Sequence, residues 1–499
     1  METMETEPAT KGGNKGRLRY AVAFLLLCGV AFNYIIKVML SVAIVAMVKE
    51  DDDSDNTTIA NHTLLDTCPG KVPRSKDNDG NGVFEWDAVM QGNILSAYFY
   101  GYVATQFLGG WAADRFSGRW VFGLGVFMTG VSSVFSPLAA DADPVAFMVL
   151  RAFQGIFSGV LLPAATVIIS RWFTLTERPR IAGIVFSANY VGTLISMSLS
   201  GVLVETLNWR SVFYVFGGAC ILYGLPWFYI VYDVPEVHPR ISETEKQHIL
   251  SGRDVHSDKT QEEKKIVEQE RKAMPIPWLR ILTSIPFWAA ALMHFGSTWL
   301  NYTLMTELPT YTEKILHFDI EDSGFISALP YLFAWVFGGL FGTLSSWLRQ
   351  RGYVSQLAAY RIFNGIGSVG PAIFLLVITL IGCDTTLIVV CLVITATMKC
   401  GFYGGSITNV LDLAPNFAGT MSGIYYTVVN LSGILSPLVT GAITEGHQTL
   451  TRWHTIFYIS MAICVVPYVL YLIFGTVKEQ SWNKPKVKKV KTEKSTETA

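Results

Sequence analysis

Charge is the scarcest property of this chain. Of its 499 residues, 15% are Asp, Glu, Lys or Arg, against about 25% in an average soluble protein. That deficit excludes a conventional solvated surface over most of the molecule. An excess of one sign is missing too: 38 basic against 39 acidic residues leave a formal net charge of −1, which offers nothing to a nucleic acid. Cysteine is sparse, at seven, and no pair has the C-x-x-C spacing of a metal site. There is no H-E-x-x-H, no glycine-rich phosphate loop and no nucleophile–base pattern, so an enzyme is not expected. The run DNDGNG (Asp77 to Gly82) opens like a calcium loop, but its twelfth position is Ala88, where a bidentate Glu is required. The chain is expected to need no metal and no cofactor. A cleaved signal peptide is not expected, because the stretch before Tyr20 is mostly polar and the apolar run from Tyr20 to Val48 is too long for a signal core.

What the chain has instead is apolar length. Hydrophobic residues make up 51% and the mean hydropathy is +0.37. About 20 mostly apolar residues cross the hydrocarbon core as a helix, the form that satisfies its own backbone in lipid. Twelve such spans are predicted, at 20–48, 88–113, 119–140, 144–170, 181–205, 210–232, 284–308, 323–346, 359–382, 385–410, 416–442 and 453–476. The fold class is an all-α membrane protein. Its expected domains are an N-terminal tail (1–19), a six-helix bundle (20–232) with an outer loop at 49–87, a linker (233–283), a second six-helix bundle (284–476) and a basic tail (477–499).

Lys and Arg set the orientation. Lys11, Lys15, Arg17, Arg19, Arg115, Arg119, Arg171, Arg178, Arg180, Arg349, Arg351 and the tail KPKVKKVKTEK all fall on one side, so both termini are expected in the cytosol. The opposite first loop carries two N-glycosylation sequons, at Asn56 and Asn61. Cys68 and Cys383 share that side, where they either pair or stay free.

An internal echo points to duplication. WRSVFY (Trp209 to Tyr214) and WHTIFY (Trp453 to Tyr458) stand at the start of the sixth and twelfth spans. Two six-helix halves joined by a central loop are the layout of the major facilitator superfamily. The loop after the second span, GGWAADRFSGRW, fits that superfamily's signature G-x-x-x-D-R-x-G-R with one extra residue. Gly110, Asp114, Arg115, Gly118 and Arg119 are its candidate conformational gate. The second half has no matching Asp in GTLSSWLRQRG, so the gate is expected to be asymmetric.

Charges inside spans mark function, since a central one costs about 2.5–3.5 kcal/mol on insertion scales. Lys37 lies deep in the first span and Arg151 in the first third of the fourth. Two cations facing one cavity suit an anion. Glu307, near the end of the seventh span, is either a cation- or proton-coupling carboxylate or an interfacial one.

The chain resembles the anion:cation symporters, the group of sialin, the vesicular glutamate transporters and the type I sodium–phosphate cotransporters. The resemblance rests on FEWD (Phe84 to Asp87), FYGYVATQFLGG (Phe99 to Gly110), TERPR (Thr176 to Arg180), PIPWLRIL (Pro275 to Leu282), LPTYTEKIL (Leu308 to Leu316), IGCD (Ile381 to Asp384) and LDLAPNFAGT (Leu411 to Thr420). It implies that Lys37 takes the place of a substrate-linked Arg, that Arg151 matches an Arg tied to anion binding or the conformational cycle, and that Tyr100 and Tyr302 line the cavity. Gln154 stands where sialin has Glu. Ser158 replaces a proton-linked Glu, Leu95 a His and Ser297 an Arg of the glutamate carriers. Gln154 and Ser158 join Glu307 as candidate cation-coupling positions. These departures lean towards the insect inorganic phosphate cotransporters, hence sodium-coupled symport of phosphate or a small organic anion by alternating access. No acidic dileucine signal precedes the first span, which favours the plasma membrane. The alternatives are a proton-coupled carrier of acidic sugars or amino acids in an acidic organelle, and a receptor-like shell that transports nothing. Expected partners are the small anion, the coupling cation and membrane lipid, with no nucleic acid.

Overall fold

The computed structural model describes residues 17–49, 68, 82–174, 177–253, 277–405, 409–414 and 417–483. Its first half holds α1 (Arg17–Met47), α2 (Ala88–Ala112), α3 (Gly118–Ala142), α4 (Pro144–Gly159), α5 (Leu161–Trp172), α6 (Arg178–Thr206) and α7 (Trp209–Ile230). A short α8 (Glu243–Arg253) and α9 (Trp278–Leu282) lie between the halves. The second half holds α10 (Ile285–Lys314), α11 (Ile320–Gln350), α12 (Gln356–Ile381), α13 (Thr385–Lys399), α14 (Asn409–Leu413), α15 (Ala418–Thr444) and α16 (Leu450–Phe474). With α4 and α5 counted as one path, and the short α14 set aside, each half has six long helical paths among the described residues. The break between α4 and α5 falls at Val160, three residues before Pro163, whose ring cannot sit over the carbonyl of residue 159 in a regular helix.

Ten stretches among the described residues are long and apolar enough to cross a membrane on those grounds alone. Neither the body of α2 nor α10 is among them. Both carry more polar residues, in keeping with a place inside the bundle rather than against lipid. The helix α10 also runs to Lys314, six residues beyond the predicted end. Glu307 therefore lies within a continuous helix and is 7% exposed.

The two echo segments occupy matching places. Asn208 caps α7 through Ser211 N, and Thr449 caps α16 through Arg452 N. Trp209 and Trp453 are buried, as are Phe213 and Phe457, while Tyr214 and Tyr458 both face outwards at 48% and 47% exposure. Identical facing in two halves is the signature of a duplicated packing pattern.

One end of the molecule carries Arg115, Arg119, Arg171, Arg178 and Arg349, and is called the basic face. At the other end Cys68 and Cys383 form a disulfide, with Cα atoms 5.2 Å apart, so of the two readings open from the sequence it is pairing that the fold adopts. The halves meet tightly on this disulfide side. A Cβ on Gly92 of α2 would lie 2.6 Å from Pro437 O of α15, and one on Gly324 of α11 2.7 Å from Met197 O of α6; only glycine permits these backbones to touch. A cluster of Val38, Val42, Tyr98, Phe99, Met197, Tyr302 and Met305 continues the seal across both halves.

Candidate functional site

Below that seal, towards the basic face, lies a cavity of about 150 Å³ between the halves. Its wall includes Tyr34, Tyr102, Gln106, Asn189 and Tyr190 from the first half. The second half contributes His294, Ser297, Asn301, Tyr302, Lys399, Tyr403 and Asn430. Helix periodicity explains the choice on α2: Tyr98, Phe99 and Tyr102 share the inner face at spacings of three and four, and all are buried. Tyr100 turns the other way, is 49% exposed and does not reach the cavity. Among the sequence candidates on this helix Tyr100 is thus replaced by Tyr102. Tyr302 is where it was expected, and donates to Asn430 Oδ1 at 2.7 Å. Asn430 Nδ2 in turn donates to Gln106 Oε1 at 2.8 Å, which ties the two halves at the level of the cavity.

Lys37 is 4% exposed, and its ammonium has no hydrogen-bond partner among the described residues. Aromatic rings surround it. The Nζ lies 3.9 Å from the centre of the Tyr102 ring and 4.6 Å from Tyr34, with Tyr98, Phe99 and Tyr302 each at 5.7 Å. Ring faces attract a cation, by about 2 kcal/mol or more when desolvated, but they satisfy none of its three N–H donors. Tyr34, Tyr102 and Tyr302 also line the cavity, so the bare ammonium stands directly behind its wall.

Arg151 is buried as deeply, at 1%, but in a different setting. Its Nη1 donates to Gln154 Oε1 at 2.7 Å and reaches Ile36 O at 3.5 Å. Gln154 Nε2 passes the chain on to Ser136 Oγ at 3.2 Å. Ser158 donates to Asn33 Oδ1 and is bonded to the Tyr98 hydroxyl. The Tyr98 ring lies 5.0 Å from the Arg151 guanidinium carbon and 5.7 Å from Lys37 Nζ, and so separates the two cations. Arg151, Gln154 and Ser158 form a packed polar layer behind the cavity and do not line it. Glu307 accepts from Thr306 Oγ1 at 3.1 Å and also lies off the wall, five residues from Tyr302 towards the disulfide side.

The cation in the cavity wall itself is one that sequence reasoning missed. Lys399, the last residue of α13, is 7% exposed and lines the cavity. Its ammonium donates to Asn301 Oδ1 and stands 5.9 Å from the Tyr190 ring of the opposite half. The signal was present: a lysine deep within a predicted span. None of the residues named as lining this cavity is Asp or Glu.

The loop signature is only partly laid out as expected. The five residues Ala113–Ser117 form a π-turn between α2 and α3, a motif frequent at functional sites. The Asp114 side chain lies outside the described residues, and Arg115 is exposed. Close packing falls to Gly109, whose Cβ would sit 2.6 Å from Val160 Cα, while Gly110 has ordinary room, with Pro163 Cβ 3.6 Å away. A Cβ on Gly118 would press on Ile168 at 2.9 Å. The described carboxylate here is Asp233, just beyond α7. It accepts from Ser117 Oγ and, at 3.0 Å, from Arg119 N, and pairs with Arg171 at 3.8 Å. An anion at a helix N-terminus is stabilising, and Asp233 takes that place on α3. The Arg119 side chain donates to Phe228 O and covers the Tyr232 ring at 4.4 Å. Asn56 and Asn61 lie outside the described residues.

Comparison with known proteins gives the family. The sequence pattern of the Major Facilitator Superfamily matches residues 26–433 and again 352–497. Human sialin is 37% identical over 466 residues, covering 93% of this chain and 90% of sialin. The chain belongs to the anion:cation symporter group of the major facilitator superfamily. A Drosophila melanogaster protein named for inorganic phosphate cotransport is 33% identical, with 94% and 86% of the two chains covered. Among solved structures, a bacterial homologue of the human lysosomal transporter Spinster superposes with a TM-score of 0.64 at 15% identity, over 92% of this chain and 97% of that one; at that identity the likeness concerns the fold. The symporter is thus a multi-pass membrane protein and a secondary transporter of anions, not an enzyme.

Proposed function

We propose that this transporter moves inorganic phosphate, or a small organic anion of similar size, together with sodium across the plasma membrane. The observation that carries the anion reading is the bare ammonium of Lys37 behind a polar wall that includes Lys399 and no named carboxylate. A compact ammonium suits phosphate or a single carboxylate as a point charge. Sodium is favoured because Ser158, Asn33 and Tyr98 make a neutral cluster at the place where proton-coupled relatives are expected to carry a Glu. The tight seal at the disulfide side supports alternating access, with the cavity exposed in turn to the cytosol at the basic face and to the outside. Both termini lie in the cytosol in this reading, and the loop carrying Asn56 and Asn61 is outside and glycosylated.

Radiolabelled phosphate uptake into cells expressing the chain tests it, with sodium replaced by a large organic cation. Uptake is expected to fall to the level of untransfected cells without sodium. Equal uptake in both media overturns sodium coupling. Glu307 carries the second reading, because a buried carboxylate bonded to one hydroxyl is suited to binding a proton. Uptake driven by an acid pH gradient without sodium, and lost in Glu307→Gln, would put that reading first.

A further inference from the structure

The wall of the cavity is shared between the halves, with Lys399 in it and Lys37 directly behind it. Lys37 comes from α1 and Lys399 from α13, one from each half. Asn301, which accepts a hydrogen bond from Lys399, neighbours Tyr302, whose ring faces Lys37. Tyr190 of the first half covers Lys399 and donates to Tyr403 Oη of the second at 2.8 Å. The two ammonium groups thus flank one small cavity across the line along which the halves must move. Neither has a carboxylate partner among the described residues. Lys399 has one neutral acceptor for three donors, and Lys37 has none. Ser297, at the position where the glutamate carriers are expected to have an Arg, lines the same wall.

We infer that Lys399 is a second anion-binding cation, and that the Lys37–Lys399 pair selects a substrate carrying two negative charges over one carrying a single charge. This rests on the anion reading above and narrows its substrate class to dianions, of which hydrogen phosphate and a short dicarboxylate are the compact examples. A dianion satisfies both ammonium groups at once and links the halves. A monoanion leaves one buried ammonium uncompensated.

Binding to the purified full-length transporter tests the inference, by ligand-induced rise of the thermal midpoint titrated with phosphate, succinate and butyrate at constant ionic strength. The wild type is expected to bind phosphate or succinate at least tenfold more tightly than butyrate. Lys399→Gln should bring that ratio below threefold, and Lys399→Arg should keep most of it. Asn301→Asp, which retains Lys399 but neutralises it, should bring the ratio down as Lys399→Gln does, so a folding defect in one variant leaves the other to decide. A wild type that binds mono- and dianions alike, or a Lys399→Gln variant that keeps the wild-type ratio, overturns the inference and leaves the anion cavity standing. A wild type that binds none of the three overturns the anion reading itself.

Discussion

The two halves of this transporter pack by the same pattern but spend their buried charges differently. In the first half two cations are equally hidden: Arg151 is bonded to Gln154, while Lys37 has only ring faces around it. Among the described residues the second half has one buried lysine, Lys399, set in the cavity wall. At the basic face the likeness returns in altered form. The third helical path of each half receives a carboxylate at its N-terminal end. In the first half this is Asp233, from beyond α7, at α3. In the second it is Asp412 on α14, which accepts from Gln356 Nε2 and Tyr360 Oη at 2.9 Å each, in the first turns of α12. Asp412 thus parallels Asp233 and not the loop residue Asp114, and both carboxylates come from outside the loop they serve. Duplicated helices preserve packing, while each half recruits its charges from whichever segment lies near. A buried cation bonded into the packed layer behind the cavity, as Arg151 is, belongs to the scaffold, and an ammonium at the cavity with donors to spare is suited to a ligand.

The sharpest way to break that distinction is to replace the two deep cations of the first half by Met. Lys37→Met removes a charge with no protein partner, so the thermal midpoint should hold or rise, while uptake efficiency falls roughly 10- to 100-fold, the worth of one charge-assisted contact. Arg151→Met should do the reverse in proportion: it strands Gln154 Oε1 and costs about 1–3 kcal/mol of stability, read as a lower midpoint and poorer surface expression, with a smaller change in KM of the protein that folds. If Lys37→Met is destabilised as much as Arg151→Met with unchanged uptake, the contrast fails.

The likeness at the basic face gives smaller effects. Asp233→Ala removes an acceptor from the N-terminus of α3 and should cost about 1 kcal/mol, measured as a shift in thermal midpoint. Asp412→Asn should act through pH. Burial holds the Asp412 carboxyl above its ordinary value of 3.8, against the pull of its Tyr360 and Gln356 hydrogen bonds. The native state therefore keeps a proton that the unfolded chain has lost. Stability falls as pH rises from about 3.8 through the raised value and is level above it. Asp412→Asn should flatten this part of the midpoint-versus-pH curve, and an unchanged curve would assign the slope to another group.

Much of this was legible along the chain. Hydropathy marked twelve spans to within a few residues at most ends, because a helix in lipid must be apolar over its own contiguous length and satisfies its own backbone. Two ends differ more: α10 runs to Lys314, past the predicted 308, with Glu307 buried, and α13 stops at Lys399, short of the predicted 410. The family was legible too, in short motifs, and Lys37 stood out as a charge in a run that otherwise had none. Which ring of YFYGY faces inwards was open in the sequence, since the helix phase there is set by what packs on it; Tyr102 faces the cavity and Tyr100 does not.

The local chain thus decided class, the two-half layout of long helices and the presence of cations within them. Tertiary structure alone decided which cation is bare, that Cys68 meets Cys383, that Asp233 serves α3, and that Lys399 joins Lys37 at one cavity. Apolar length is a property of a residue and its neighbours in sequence, whereas satisfaction of a polar group depends on atoms such as Asn301 and Lys399, 98 positions apart, that only the packed fold brings together.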